Sequence, residues 1–128
     1  MSDGGLTSEQ IERVVAIAMD LAREGDTEQL MEFVDHGLPV DAADPAANTL
    51  LMIAAYHGHA GTVRALLDRG ADPDLRNARD QSPIAGALFK GADDVVAVLR
   101  EVGADLDAGT PSARAAAAMF GREHLLAV

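Results

Sequence analysis

Few residues in this sequence have types and spacings that suggest chemistry. The stretch AAYHGHAGTV, residues 54–63, holds two of the four histidines, His57 and His59, on either side of Gly58. Two imidazoles this close could hold a metal ion, relay a proton or belong to a turn. The segment leading into them, TLLMIAAYH, reads as the end of a helix. Residues two apart on a helix point about 200° away from each other, so the pair cannot chelate one ion there. His36 falls near a helix C-terminus, where a partly positive ring is favourable, and His124 falls in the last short helix; neither has an identifiable partner. The 21 acidic residues show no spacing that pairs two for acid–base work. The sequence has no glycine-rich phosphate loop, no Gly-x-Ser-x-Gly and no His-Glu-x-x-His. It has no cysteine, so disulfides and thiolate zinc sites are excluded. The expectation is a protein that is not an enzyme and carries no cofactor or metal.

The elements that must position any site are better marked. A chain of 128 residues is one domain's worth, burying roughly two thirds of the surface it would expose unfolded. Hydrophobic residues make up 48% and aromatics only 3%, so the core must be built from Ala, Val and Leu, as in closely packed helices. A net charge of -11 argues against nucleic acid, which needs a basic surface, and against anionic membranes. The opening MSDGGLTSEQ has neither the basic nor the apolar region of a signal peptide. No apolar run approaches the ~18 residues of a membrane span. A cytoplasmic setting is expected.

An internal repeat is the strongest signal. Gly25, Gly58 and Gly91 lie 33 residues apart, as do Gly37, Gly70 and Gly103, and Asp41, Asp74 and Asp107. Leu30, Val63 and Val96 keep the same period, as do Phe33, Leu66 and Leu99. Each period reads as a short apolar helix (49–57, 82–90), a glycine turn and a second helix (60–69, 93–102). Gly70 and Gly103 stop the second helix in left-handed C-cap geometry, and a polar loop such as ADPDLRNARDQ follows. Thr49 and Ser82 stand at N-cap positions, and Ser82-Pro83 pairs an N-cap with a first-turn proline. Thr7 and Gln10 have capping-box spacing at the head of a longer first helix. In that helix Ile11, Val14, Val15 and Ala18 form the expected buried stripe. Asp41, Asp74 and Asp107 are expected to shape their turns by accepting nearby backbone N–H bonds.

These residues resemble the ankyrin repeat family. Its pattern, Thr-Pro-Leu-His-x-Ala-Ala-x-x-Gly-His followed by a Val/Leu helix and Gly-Ala-Asp-x-Asn, is matched by NTLLMIAAYHGHAGTVRALLDRGADPD and more loosely by QSPIAGALFKGADDVVAVLREVGADLD. DLAREGDTEQLMEFVDHGLPVDA matches from mid-repeat, and SARAAAAMFGREHLL resembles a truncated last unit, with a last helix, REHLLAV, expected to stop after about two turns. The resemblance implies an all-α ankyrin repeat solenoid of stacked helix-turn-helix units, about four repeats, with short β-turn or hairpin loops. It implies a single domain over 1–128, with repeats at 7–43, 44–76, 77–109 and 110–128 and residues 1–6 disordered. The connector ADLDAGTPSA is about three residues short, so a truncated or absent hairpin is expected there. The family's motif histidine is replaced by Met52, Ala85 and Ala115. Each lost hydrogen bond costs about 1 kcal/mol, so a modestly stable array held mainly by apolar contact is expected. Composition hints at a high-GC bacterial source.

The resemblance also implies a site. The two residues before each turn glycine face a concave groove in this family: Arg23 and Glu24, Tyr56 and His57, Phe89 and Lys90, Met119 and Phe120. Three of the four aromatic residues fall there, and aromatics are enriched at binding hot spots; the other reading is that they fill gaps between repeats. Hairpin residues Pro45, Ala46, Asn48, Arg76, Arg79 and Gln81 extend the surface. His59 belongs to the turn, and His57 to the groove lip, where contact through it would vary between about pH 5 and 8. The expected function is a non-enzymatic protein-protein interaction module with an unknown protein partner, as a monomer or weak homodimer. The alternatives are a dedicated inhibitor or protective partner of one enzyme, and a small-ligand or metal site using His57, Tyr56 and nearby carboxylates.

Overall fold

A computed structural model describes residues 6–126. Met1–Gly5, most of the segment expected to be disordered, lie outside the described residues, as do Ala127 and Val128; Leu6 is described and exposed. Seven α-helices and a terminal 3-10 turn follow in order: α1 (Ser8–Glu24), α2 (Thr27–Asp35), α3 (Leu50–Tyr56), α4 (Ala60–Asp68), α5 (Pro83–Lys90), α6 (Asp93–Glu101), α7 (Ala113–Phe120) and Glu123–Leu126. The last element is thus a single short turn rather than a helix of two turns. Among the described residues no helix is long and apolar enough to cross a membrane.

The helix starts are set locally. Thr7, Thr49, Ser82 and Ser112 each accept a bond from the backbone N–H three residues on, and Thr7 with Gln10 closes a full capping box. Turn glycines Gly25, Gly58, Gly91 and Gly121 carry the chain from each helix to the next at φ values of 66 to 78°.

The helices stack in two rows. α1, α3, α5 and α7 pack in sequence as an inner row, and α2, α4 and α6 as an outer one. The seam between the rows is the core, where Leu30, Leu50, Leu51, Val63, Leu66, Ile84, Leu88, Val95, Val96 and Leu99 are buried. Ala54, Ala55, Ala87, Ala116 and Ala117 let neighbouring helices approach closely.

The first helix departs from its expected pattern. Ala18, Met19 and Ala22 are buried, but Ile11 is 46% exposed and Val14 and Val15 are only partly covered. α1 extends past the end of α3 and has no neighbour on its outer side, so its first half meets solvent. Two hollows of about 650 and 690 Å³ open there, lined by Ile11 with Val14 and Phe33, and by Ile11 with Val15 and Met19.

Hydrogen bonds between units are present but displaced. Met52 and Ala85 are buried and Ala115 exposed at the motif-histidine positions. His59 instead bonds through Nε2 to the carbonyl of Arg23, at 2.8 Å, one unit back. The Thr27 and Thr62 hydroxyls meet at 2.6 Å. Asp41 and Asp74 do bind backbone N–H groups, but those of Asp72 (3.0 Å) and Asp105 (2.8 Å) in the following loop; Asp72 and Asp105 perform the local turn-shaping toward Asp74 and Asp107. Asp107 takes a third course and pairs with Arg114. On the outer row Arg69 grips Asp35 through Nε and Nη2 at 2.7 and 3.0 Å. That bond holds the Asp35 carboxyl below its usual pKa and raises that of Arg69. The array therefore does not rely on apolar contact alone.

His59→Ala tests the displaced bonding. It removes the bond to Arg23 and the ring lying on Gly25, and about 1–2 kcal/mol of stability should be lost. Urea denaturation followed by circular dichroism reads this; no change would mean the bond contributes nothing net.

Loops also differ from a regular hairpin series. The only bridge among the described residues joins Ala43 to Thr49. Around it, Asp44 accepts from the Ala46 and Asn48 backbones, and Asn77 accepts from Arg79 and Gln81 in the next loop. The third loop is shortened as expected: Thr110 bonds by its N–H to the Asp80 carbonyl (2.8 Å) and by its hydroxyl to the Asp80 carboxylate (2.7 Å).

Candidate functional site

Side chains at the C-terminal ends of the inner helices come together because those helices stack one beside the next. Tyr56 closes α3, Phe89 lies one residue from the end of α5, and Met119 and Phe120 close α7. The rings form a continuous ladder. Tyr56 and Phe89 stack with centroids 6.3 Å apart and planes within 13°, and Phe89 meets Phe120 edge-on at 5.2 Å. His57 packs its ring edge-on to Tyr56 at 5.4 Å. The rings pack against one another across the units and remain part-exposed. Each ring touches the next unit, yet Tyr56, Phe89 and Phe120 stay 37%, 46% and 39% exposed, and Met119 67%.

The ladder forms one wall of a cleft of about 400 Å³. Buried Met52, Ala85 and Ala116 line it together with half-buried Gly86 and with Gln81 and Pro111. Gly86 is a glycine inside a helix, about 1 kcal/mol less favourable there than alanine. A methyl group at Gly86 would lie 3.6 Å from Tyr56 Cδ1, an ordinary contact. Crowding therefore does not require the glycine; it leaves bare helix backbone in the lining of the cleft.

Two cations face the ladder. The Lys90 ammonium lies 4.9 Å from the Tyr56 ring centre and the Arg122 guanidinium 5.6 Å from that of Phe120, distances at which a cation is attracted to a π face. Arg23, Arg64, Arg69, Arg76 and Arg114 are each engaged with a carboxylate of this chain. Lys90 and Arg122 form no such pair among the described residues. The pKa of His57 is lowered by partial burial and then by Arg23, His59 and Lys90, so any charge change of the ring moves toward the acid side.

The residues singled out in the sequence do not all converge. Tyr56, Phe89, Lys90, Met119, Phe120 and Gln81 share the cleft and its edge, with His57 beside it. Arg23 stands at the α1 end, paired with Asp20, and Glu24 beside it is exposed; neither lines the cleft. Asn48 is partly buried and structural: its amide donates to Asp44 and its oxygen accepts from Asn77. Arg76 pairs with Asp80 at 3.0 Å, while Arg79 is an exposed loop residue. Met52, Gly86, Pro111 and Arg122 belong to the site without having been expected. Arg122 had a signal, because it follows Gly121 as His59 follows Gly58.

His57 and His59 are separated by their surroundings. His59 lies on Gly25 and bonds to Arg23, while His57 lies against Tyr56. Among the described residues no group of three or more His, Asp or Glu side chains could hold a metal ion.

Comparisons with known proteins agree with this architecture. A family model described as ankyrin repeats (three copies) matches residues 18–110. Serine/threonine-protein kinase 12 of Arabidopsis thaliana is 37% identical over 86 residues, 67% of this chain but 19% of that protein. An ankyrin repeat protein of Pseudomonas aeruginosa is 47% identical over 45 residues, 35% of this chain and 26% of its own length. The crystal structure of the human ASB11 ankyrin repeat domain superposes with a TM-score of 0.66 at 26% identity, covering 70% of this chain and 40% of that one. The chain thus spans well under half the length of these relatives.

Proposed function

The chain belongs to the ankyrin repeat family, and on that premise we propose that it is a non-enzymatic module that binds a protein partner along the aromatic ladder and the adjoining loops. Members of this family generally serve as protein-protein interaction scaffolds, and nothing of the kinase match lies outside the repeats that this chain shares. The observation that carries the reading is the ladder itself: three rings and a methionine held side by side and part-exposed on one face. Stacked helices hold these side chains before any partner arrives, which lowers the ordering cost of association. Arg76, Arg79 and Gln81 extend the contact onto the loops; Asn48, partly buried, supports the loops from within. Arg23 and Glu24 mark the far end of the same row.

The test is capture of partners from the native host on the immobilised chain, beside a Tyr56→Ala/Phe89→Ala variant. Truncating two hot-spot aromatics should weaken a partner's affinity by about 30-fold or more. Unchanged affinity, with an unchanged helical spectrum, would remove the groove from the mechanism.

A further inference from the structure

The cleft and its charges narrow the class of partner. We propose that the cleft between α3, α5 and α7 takes a large apolar side chain from an acidic partner segment, whose carboxylates meet Lys90 and Arg122. This rests on the groove being the binding surface.

Charge supplies the first argument. The chain carries a net charge of -11, yet Lys90 and Arg122 bring two cations against the ladder. Lys90 and Arg122 flank the two ends of the ladder and lean on its rings rather than on carboxylates. A cation against an aromatic face keeps most of its pairing capacity, so an arriving carboxylate can engage it without first displacing an acid of this chain. A basic segment would meet the same two cations unscreened.

Shape supplies the second. The lining includes bare helix backbone at Gly86, the rings of Tyr56, Phe89 and Phe120, and the exposed, adaptable side chain of Met119. About 400 Å³ has room for a leucine- or phenylalanine-sized group, and glycine is the residue that permits close approach to a helix backbone.

Selection of random twelve-residue peptides displayed on phage, against the full chain, tests both halves. The enriched pool should show an excess of Asp and Glu around one large apolar residue. The tightest peptide should bind about tenfold more weakly to Lys90→Glu/Arg122→Glu, and its affinity should fall with added salt. Gly86→Leu, at a half-buried position of α5 that lines the cleft, should weaken it by a similar factor while circular dichroism shows the helices intact. A pool still dependent on Tyr56 and Phe89 but neutral or basic overturns the acidic class and leaves the groove standing. An acidic pool indifferent to Gly86→Leu overturns the apolar seat. A pool indifferent to Tyr56→Ala/Phe89→Ala, or no enriched pool, overturns the groove as well. Sedimentation of the chain alone as a dimer that Gly86→Leu dissociates assigns the cleft to a second copy and overturns the proposal.

Discussion

Leu66→Ala is expected to destabilise the protein by about 3 kcal/mol, within the 2–5 kcal/mol typical of buried leucine truncation. Leu66 is fully buried on α4, the central helix of the outer row, with α2 on one side and α6 on the other. In a stacked array each unit is supported by its neighbours, so a void in the middle weakens two interfaces at once. An end unit would weaken only one. The urea midpoint should drop by about 2 M for a slope near 1.5 kcal/mol/M. Leu75→Ala, on a surface leucine 36% exposed, should change stability by less than about 0.5 kcal/mol. If the two variants behaved alike, the packing of the outer row described above would be wrong.

Gly25→Ala should cost about 3 kcal/mol, and Gly58→Ala only about 1–2 kcal/mol, although both glycines sit at turns with left-handed φ, 75° and 78°. An L side chain in that conformation costs about 1–2 kcal/mol on its own. The difference is the ring of His59. A Cβ at Gly25 would lie 2.6 Å from His59 Nδ1, whereas at Gly58 the nearest atom is the Ala92 methyl at 4.0 Å. The imidazole cannot step aside freely, because its other nitrogen bonds to Arg23; moving it forfeits that bond. Removing the ring should cancel the excess. In a His59→Ala background, Gly25→Ala should cost no more than Gly58→Ala, a coupling of about 1–2 kcal/mol in the double-mutant cycle. Additive effects would show that the ring yields without cost.

The period of 33, the helix pairs and their caps were legible because they depend on residues within about four positions of one another. Thr49, Ser82 and the Thr7–Gln10 box cap as their spacing predicts. The ladder residues were legible for a related reason: once the repeat is known, side chains at the same repeat position must fall in one row. Long-range partners were not. Asp41 looks like a local turn residue and instead binds the N–H of Asp72. His59 looks like a turn cap and binds Arg23. Ile11 looks like core and faces solvent.

What the sequence determined alone was the fold, the absence of any thiol chemistry and the identity of the rings at the helix ends. Tertiary structure decided which of those groups meet. The lateral offset between stacked helices sets whether a side chain reaches residue i+4 or residue i+31, and that offset comes from the packing of whole helix faces. For the same reason only the stack revealed that Gly86 lines a cleft beside Tyr56, and that Lys90 and Arg122 come to rest on aromatic rings with no carboxylate partner among the described residues.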